Sequence, residues 1–187
     1  RSGRSGPGAG RPAQLSELGQ RFMGGILDHF KALVCVGSPT VNSYKRMWDF
    51  GFWAPVYRNY GWQNRTCTVR VASGGRFEFR GVDSACNPYL TQAAMLRAGL
   101  DGIERELDPG PPQQRNTYDL LAEGTEFERV PDHLGAALEA LEADEVVRSA
   151  MPGRLYDVFM HYKRDEWERY LAAVPDWERE EYLEVLP

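Results

Sequence analysis

Two short segments in the middle of the chain, residues 67–71 and 76–80, alternate between apolar and polar side chains. A period of two residues is typical of a β-strand that has one buried face. The intervening Ser73-Gly74-Gly75 has the composition of a tight turn. The sequence therefore predicts a β-hairpin whose apolar positions, which include Val69, Val71, Phe77 and Phe79, point to the core.

The polar face of this hairpin is rich in charge. Side chains two residues apart on a strand share a face, so Arg76, Glu78 and Arg80 are expected to project together. Arg70 lies on the same face of the partner strand, and Arg65 lies at the entrance of that strand. Guanidinium groups bind phosphate and carboxylate oxygens in pairs, and one carboxylate among them suits a divalent metal beside a polyanion. A surface hairpin with cross-strand salt bridges is the simpler interpretation, and the pattern alone leaves both open.

Helical periodicity accounts for most of the remaining chain. Helices are predicted over residues 15–36, 88–106, 132–150, 153–173 and 175–185. Ser16 and Asn87 are candidate N-caps, and the Gly24-Gly25 pair suggests a close contact inside the first helix. Residues 37–55 and 108–131 are expected to be irregular. Many helices beside a few strands indicate the α+β class.

The first 14 residues are dominated by Gly, Ser, Arg and Pro. This composition predicts a flexible leader or linker before a domain that covers residues 15–187. Within that domain, apolar residues at helical spacing are expected to be core. They form two stripes, Leu134, Leu138 and Leu141 on one helix and Leu155, Val158, Phe159, Tyr162, Trp167 and Tyr170 on the next.

Charge and cysteine content exclude several classes of protein. The formal net charge of −5 argues against a nucleic-acid partner. No apolar run approaches the ~20 residues of a membrane helix, and the first residues lack the apolar centre of a signal peptide. Cys35, Cys67 and Cys86 have no CxxC spacing and are expected to be reduced thiols of a cytoplasmic protein.

An ordered set of motifs runs through the chain from Leu15 to its end. The motifs are Asn42-Ser43-Tyr44-Lys45-Arg46, Ala54-Pro55-Val56, Asn64-Arg65-Thr66, Val69-Arg70-Val71, Arg76-Phe77-Glu78-Phe79-Arg80, Asn87-Pro88-Tyr89-Leu90, Ala98-Gly99-Leu100-Asp101-Gly102-Ile103 and Asp108-Pro109-Gly110. In this order they resemble the C-terminal part of the catalytic domain of the glutamine synthetase family. The resemblance implies short antiparallel hairpins of a curved sheet, flanked by several helices.

The family resemblance implies a reaction. In that family ATP phosphorylates the γ-carboxylate of glutamate, and ammonia or an amine then displaces the phosphate. The implied ligands are ATP, glutamate, ammonia or a small amine, and Mg²⁺ or Mn²⁺, and the intact protein is expected to be a large homo-oligomer. Positive charge is needed around the transferred phosphoryl group, which fits the arginine-rich hairpin.

The resemblance also assigns a role to each charged residue by its position in the motifs. Arg46 and Arg80 match arginines that hold glutamate. Arg65 matches the arginine nearest the transferred phosphoryl group, where it is catalytic and contacts ATP, and the other arginines at the ATP phosphates are Arg70 and Arg76. Glu78 matches a metal-ligand glutamate.

One position departs from the usual family pattern. Ordinary glutamine synthetases place a glutamate just before the Ala-Pro of this loop, and here the residue is Trp53. An indole accepts no proton, but it offers an apolar wall or a cation–π face to an alkylammonium ion. In this respect the chain is similar to the γ-glutamylmethylamide synthetase-like branch, also called type III. Loop packing without substrate contact is the alternative for Trp53, and ordinary glutamate–ammonia ligation is the alternative for the reaction.

Other candidate residues carry less weight. Tyr118 aligns with a tyrosine that some bacterial members adenylylate, although an ordinary loop tyrosine is the default interpretation. His29, His133 and His161 have no metal-ligand partner at close spacing and are expected to be packing or surface residues.

The family's other metal ligands and its small N-terminal domain precede the region that these motifs cover. One glutamate cannot form a site for two or three metals, so the chain alone is expected to be an incomplete, inactive fragment. A catalytically incomplete structural or interaction protein with this fold is therefore the alternative function.

Overall fold

The computed structural model describes residues 15–47, 54, 56–72, 75–183 and 185 of the 187-residue chain. The predicted leader and Trp53 lie outside these residues. The helices are α1 Glu17–Asp28, α2 Phe30–Gly37, α3 Pro88–Glu104, α4 Thr117–Ala122, α5 Leu134–Ala143, α6 Glu145–Arg148, α7 Leu155–Ala172 and α8 Asp176–Tyr182. A 3₁₀ helix spans Val41–Met47, and the strands are β1 Tyr60–Trp62, β2 Val69–Val71 and β3 Phe77–Phe79. The predicted α+β class is confirmed.

The predicted hairpin is present as an antiparallel pair of β2 and β3. Its register pairs Arg70 with Glu78 on the polar face. Gly75 in the connecting turn has a φ of +72°, a conformation that glycine adopts without strain. A third strand was not predicted, because β1 is only three residues long and pairs in parallel with β2. The sheet order is therefore β1-β2-β3.

Four predicted segments differ from the structure. The helix predicted over residues 15–36 is divided into α1 and α2 at His29, and the one predicted over 132–150 is divided at Asp144, whose side chain caps α6. The segments expected to be irregular contain the 3₁₀ helix and α4. The predicted caps are confirmed, since Ser16 accepts a hydrogen bond from Gly19 N and Asn87 accepts from the first turn of α3.

Glycines allow α1 and α3 to pack backbone against backbone. A Cβ atom on Gly25 would lie 2.0 Å from the carbonyl oxygen of Ala98, and one on Gly102 would lie 2.3 Å from that of Arg21. Real Cβ atoms do not approach backbone this closely. The close contact predicted from Gly24-Gly25 is therefore confirmed, and the glycines of the Ala98–Ile103 motif form the other side of it.

A buried ionic network joins the α1–α2 junction to α3 and α6, and the sequence did not predict it. The imidazole of His29 lies between two carboxylates, with Nδ1 2.7 Å from Asp144 Oδ2 and Nε2 2.9 Å from Asp101 Oδ2. Asp101 also accepts from Arg105, which in turn pairs with Asp28. Because carboxylates only accept hydrogen bonds, both ring nitrogens must donate, so His29 is an imidazolium here.

The charge of His29 makes stability depend on pH. Burial opposes the charge and is the largest single influence, but the hydrogen bonds and charges of Asp144 and Asp101 outweigh it and raise the pKa of His29 above its usual 6.5. A raised folded-state pKa contributes stability below pH 6.5 that is lost as the pH rises through the folded-state pKa.

We therefore expect the free energy of unfolding of the wild type to exceed that of His29→Gln most at pH 6 or below. The difference should shrink as the pH rises toward 9, which urea denaturation at several pH values would measure. His161→Gln, at an exposed position of α7, controls for the removal of a histidine. A difference for His29→Gln that stays constant or grows with pH would contradict this assignment.

The two predicted apolar stripes have different outcomes. Leu134, Leu138 and Leu141 are buried in the core, as predicted. The stripe on α7 is largely exposed, with Tyr162 65% and Leu155 47% accessible, and Met160 is the buried residue of that helix. Helical spacing predicts an apolar face, but burial requires a covering surface. The described residues cover only part of this face, around Phe159 and Trp167.

Several further expectations are confirmed. Cys35, Cys67 and Cys86 are free thiols, and burial raises the pKa of Cys35 to about 12 and that of Cys67 to about 11, which disfavours a nucleophilic thiolate. His133 caps α5 and stacks on Trp167. Within the described residues, no helix combines the length and the apolar character needed to cross a membrane.

Candidate functional site

The charged face of the hairpin is organised around one cross-strand ion pair. Arg70 Nη1 lies 2.9 Å from Glu78 Oε2 and 3.2 Å from Oε1, so a single nitrogen contacts both carboxylate oxygens. Arg76 lies on the same side, with Nη2 4.0 Å from Glu78 Oε1. The face-sharing predicted for Arg70, Arg76 and Glu78 is therefore confirmed. Phe77 and Phe79 pack against the core from the opposite face.

Gln63 extends this group from the end of β1, and no pattern in the sequence predicted its part in the site. The side-chain oxygen of Gln63 accepts a hydrogen bond from Arg70 Nη2. Gln63 has a φ of 51°, in the left-handed region that non-glycine residues seldom adopt. Arg70 Nε is buried and has no hydrogen-bond partner among the described residues. The guanidinium of Arg70 is thus held by side chains on both neighbouring segments of the sheet.

Arg80 reaches back across the loop that precedes β2. Its Nη1 donates to the carbonyl oxygens of Cys67, at 3.0 Å, and Arg65. Burial is the largest cause of the lowered pKa of Arg80, and the positive charges of Arg46 and Arg70 lower it further. The guanidinium groups of Arg46 and Arg70 therefore each lie within electrostatic reach of Arg80.

Arg46 enters the same region from the 3₁₀ helix. Its Nη2 donates to Ser38 Oγ at 3.3 Å and to Val82 O at 3.2 Å. Burial lowers the pKa of Arg46, and Arg46 Nε is buried without a hydrogen-bond partner among the described residues. An open hollow of about 590 Å³ adjoins it, lined by Thr40, Asn42, Ser43, Lys45, Arg46, Asp83, Ser84 and Ala85. This region combines cationic donors with room for an anionic ligand.

The side chain of Arg65 is exposed, like that of Arg76, but it has no hydrogen bond or ion pair within the part of the chain that the structure describes. Its neighbours in the Asn64-Arg65-Thr66 motif are framework residues instead. Asn64 Nδ2 donates to the carbonyl oxygens of Gln113 and Arg115, and Asn64 Oδ1 accepts from Thr66 N. Within this motif, hydrogen bonds therefore hold Asn64 and Thr66 in place, and the Arg65 side chain between them is exposed to solvent.

A buried hydroxyl pair completes the framework beneath Arg65. Thr66 Oγ1 lies 2.6 Å from Asn64 Oδ1 and 3.0 Å from Thr117 Oγ1, and Asn59 Nδ2 donates to Thr117 Oγ1. A hydroxyl has one proton, and Asn64 Oδ1 can only accept. If Thr66 donates to Asn64, the proton between the two threonines belongs to Thr117. Thr117 therefore serves both as donor and as acceptor.

We expect Thr117→Val to lower the free energy of unfolding by about 2 kcal/mol, because it leaves the buried Asn59 Nδ2 without an acceptor and removes one of the hydrogen bonds of Thr66. Urea denaturation measures this loss. Thr91→Val is the matched control, since Thr91 Oγ1 is buried with no partner among the described residues, so its removal should leave stability unchanged or raise it. Equal losses in the two variants would show that the network contributes nothing.

The donor set suits phosphate and carboxylate groups better than it suits a metal alone. Glu78 provides one carboxylate, whereas Mg²⁺ and Mn²⁺ prefer six oxygen ligands. The described residues hold one group of three metal-ligand atoms close together, on Asp28, His29 and Asp101, and it belongs to the ionic network on α1 and α3. Glu78 thus fits a divalent cation that takes its other ligands from phosphate, water or further protein groups.

Tyr118 receives little structural support as a modification site, and Trp53 lies outside the described residues. Tyr118 lies in the first turn of α4, where its hydroxyl is buried without a hydrogen-bond partner among the described residues, which disfavours an enzyme-accessible modification site. Trp53 falls outside the described residues, so its amine-pocket role stays a prediction. The framework residues Asn64, Thr66 and Thr117 were missed as such, although two of them flank Arg65 in the motif.

Comparison with known proteins defines the class. The family model of the glutamine synthetase catalytic domain matches residues 7–182. The chain therefore belongs to the glutamine synthetase family. It is 43% identical to a glutamine synthetase of Pyrococcus woesei, an alignment that covers 90% of this chain and 42% of the relative. The chain thus spans about two fifths of the length of such relatives.

The predicted similarity to the γ-glutamylmethylamide synthetase-like branch is also confirmed. A glutamate–methylamine ligase of Methyloversatilis universalis is 44% identical over 91% of this chain and 40% of its own length. Among solved structures, an ADP complex of GmaS superposes with a TM-score of 0.84 and 41% identity over 96% of this chain and 42% of that one. GmaS without ligand gives a TM-score of 0.80 at 42% identity, over 90% and 39%.

Proposed function

We propose that this chain supplies the C-terminal part of the catalytic site of an ATP-dependent ligase. The enzyme joins ammonia or a small amine to the γ-carboxylate of glutamate through γ-glutamyl phosphate. The observation that carries the proposal is that Arg46 and Arg70 lie within electrostatic reach of Arg80, which donates to the carbonyl oxygen of Arg65, with Glu78 paired to Arg70 on the hairpin face.

The reaction has two steps. A γ-carboxylate oxygen of glutamate attacks the γ-phosphorus of ATP, the bond to the ADP oxygen breaks, and γ-glutamyl phosphate forms. The uncharged amine then attacks the acyl carbon, loses a proton to solvent or a base, and expels phosphate. Negative charge has to be stabilised on the transferred phosphoryl group in both steps.

In this proposal, different arginines bind glutamate and ATP. Arg46 and Arg80 are held by the protein through part of each guanidinium, and they bind a carboxylate of glutamate. Arg70 and Arg76 bind the ATP phosphates from the hairpin face. Arg65, which projects from its framework into solvent, contacts the phosphoryl group as it is transferred.

Glu78 is one ligand of Mg²⁺ or Mn²⁺ in this proposal, and the bound cation neutralises phosphate charge. Glu78 pairs with Arg70 at 2.9 Å. A cation–triphosphate complex brings charges of both signs, so it offers a cation to Glu78 and phosphate oxygens to Arg70. Ligand binding can therefore replace the ion pair without leaving either charge unpaired.

The amine is proposed to be ammonia or a small alkylamine. A glutamine synthetase and a glutamate–methylamine ligase are almost equally similar to the chain, at 43% and 44% identity. Trp53 is proposed to form an apolar or cation–π wall of the amine pocket. The exposed apolar side chains of α7 and α8, such as Leu155 and Trp177, support assembly into a larger homo-oligomer.

The test is ADP release by the product of the complete gene, with ATP, Mg²⁺ and glutamate and with ammonia, methylamine, ethanolamine or a polyamine. Glutamate-dependent release that an amine stimulates is the expected result. The ratio of kcat/KM for ammonia and methylamine then identifies the preferred substrate. If no amine stimulates release, the ligase proposal fails and a non-catalytic role is favoured.

A further inference from the structure

The C-terminal helix α7 contacts the 3₁₀ helix that carries Arg46 through one acidic side chain. Glu166 Oε1 accepts a hydrogen bond from the backbone amide of Val41 at 3.1 Å. The other oxygen, Oε2, lies 2.8 Å from Lys163 Nζ, one turn earlier on α7. The side chains of Glu166 and Lys163 are 28% and 20% exposed, so the carboxylate is held in place and partly shielded from water.

Val41 is the first residue of the 3₁₀ helix, so this bond acts at the amino end of the helix. Thr40 and Ser43 already cap the helix reciprocally, with Ser43 N donating to Thr40 Oγ1 at 3.1 Å and Thr40 N donating to Ser43 Oγ at 3.2 Å. The amide of Val41 lies between these two capped donors. Glu166 satisfies that amide and places a negative charge at the amino end of the helix, where the helix dipole favours it.

Arg46 lies in the last turn of the same short helix. Tyr44 and Met47 are buried on either side of it, with 3% and 1% accessibility, so this end of the helix is packed into the core. The guanidinium of Arg46 is held by Ser38 and Val82 at 3.2–3.3 Å. A change at the amino end of so short a helix is therefore transmitted to the backbone of Arg46, and so to its guanidinium.

The other contacts of α7 include partly buried aromatic side chains that pack against the core and an ion pair between Arg164 and Glu142 of α5. Met160 is the one residue of α7 that is fully buried, and most other apolar side chains of the helix are exposed. Trp167, beside Glu166, stacks on His133 with ring centroids 5.0 Å apart. Among the described residues, the Glu166 bond is the one hydrogen bond that joins α7 to the 3₁₀ helix.

We propose that Glu166 is a positioning residue that sets the affinity for glutamate by holding the 3₁₀ helix that carries Arg46. The inference rests on the proposed role of Arg46 in binding glutamate. Glu166 lies on a different helix from the proposed glutamate and ATP residues, and it acts on the substrate through the Val41 amide. It therefore affects glutamate binding more than ATP binding or the chemical step.

The kinetic test uses the product of the complete gene and compares Glu166→Ala with Glu166→Gln. We expect the alanine variant to raise the KM for glutamate by roughly 5- to 20-fold, while kcat and the KM for ATP change by less than about twofold. Glutamine retains an oxygen that can accept from Val41, so Glu166→Gln should restore the KM to within about twofold of wild type. Asp165→Ala, which removes a carboxylate paired with Arg169 on the exposed side of α7, is the matched control.

A merely structural role for Glu166 would lower the amount of active enzyme and leave the KM for glutamate unchanged, and that result would overturn the proposal. An equal rise in the KM for glutamate and ATP would also overturn it.

Hydrogen exchange on the chain gives a readout that does not depend on activity. Glu166→Ala should speed amide exchange in residues 41–47, and Asp165→Ala should not. Unchanged exchange in Glu166→Ala would overturn the positioning role even in an active enzyme. If exchange speeds up but the wild-type enzyme releases no ADP in response to glutamate, the proposed function fails, the structural link stands, and its role in substrate affinity is rejected.

Discussion

Replacing Arg65 with alanine should abolish most of the ligase activity while leaving the fold intact. The Arg65 side chain is exposed and has no partner within the described residues, so its removal should change the free energy of unfolding by less than ~0.5 kcal/mol. If Arg65 contacts the transferred phosphoryl group, kcat should fall on the order of 10³-fold, as it does when other enzymes lose such an arginine. Amine-stimulated ADP release and urea denaturation measure the two quantities separately.

Two further variants make this experiment specific. Arg65→Lys keeps the charge but loses the planar fork, so its kcat should lie between those of the wild type and Arg65→Ala. Arg154→Ala removes an exposed arginine at the start of α7 and should leave kcat within about twofold of wild type. Full activity in Arg65→Ala, or the same loss in Arg154→Ala, would show that the exposed arginine of the Asn64-Arg65-Thr66 motif has no catalytic role.

The substitution Gly25→Ala should cause the largest loss of stability of any single methyl group added to α1. The new Cβ would lie 2.0 Å from Ala98 O and 2.8 Å from Gly102 N, and both are backbone atoms that no rotamer change can move. The helices α1 and α3 would have to separate, which should lower the free energy of unfolding by about 3 kcal/mol. The midpoint of urea denaturation measures this effect.

Gly19→Ala is the matched control, because it makes the same change in the same helix. Its Cβ would meet only Ser16 Oγ at 3.4 Å and the side chain of Leu15 at 3.6 Å or more, which are ordinary contacts. Alanine favours the helical conformation, so Gly19→Ala should stabilise the protein by up to ~1 kcal/mol. If both variants shift the midpoint in the same direction by similar amounts, steric contact between α1 and α3 does not determine stability.

Local sequence signals predicted the parts of the fold that depend on local physics. The period of two residues predicted the hairpin and its charged face, because strand geometry alone determines which side chains share a face. The caps at Ser16 and Asn87 depend on neighbouring backbone amides and were also predicted. The close contact at Gly24-Gly25 was predicted, although its partner helix was not.

Contacts between distant positions were not predicted from the residues. His29 meets Asp101 and Asp144, which lie 72 and 115 positions away, and no spacing rule connects them. Thr66 and Thr117 are 51 positions apart. The strand β1 is too short to show a period, and it pairs with β2 only in three dimensions. The apolar stripe of α7 was recognised, but its exposure depends on surfaces that periodicity does not describe.

The candidate site divides in the same way. The family motifs pointed to Arg46, Arg65, Arg70, Arg76, Glu78 and Arg80, and the period-two pattern placed the hairpin members on one face. The roles of these residues stay predictions, as does that of Trp53. Arg46 and Arg80 donate to the carbonyl oxygens of Val82 and Cys67, and Asn64, beside Arg65, donates to that of Arg115. Sequence motifs identify such binding side chains, but the contacts that orient them are visible only in the folded structure.

Oxygen transfer tests the central claim most directly. Glutamate labelled with ¹⁸O in its γ-carboxylate is incubated with ATP, Mg²⁺, the preferred amine and the product of the complete gene, and the released phosphate is analysed by mass spectrometry. Because the attacking carboxylate oxygen leaves with phosphorus when the amine displaces it, each phosphate should carry one ¹⁸O atom. Unlabelled phosphate accompanied by ADP release would contradict a γ-glutamyl phosphate intermediate. It would also contradict the ligase function in which Arg65 contacts the transferred phosphoryl group.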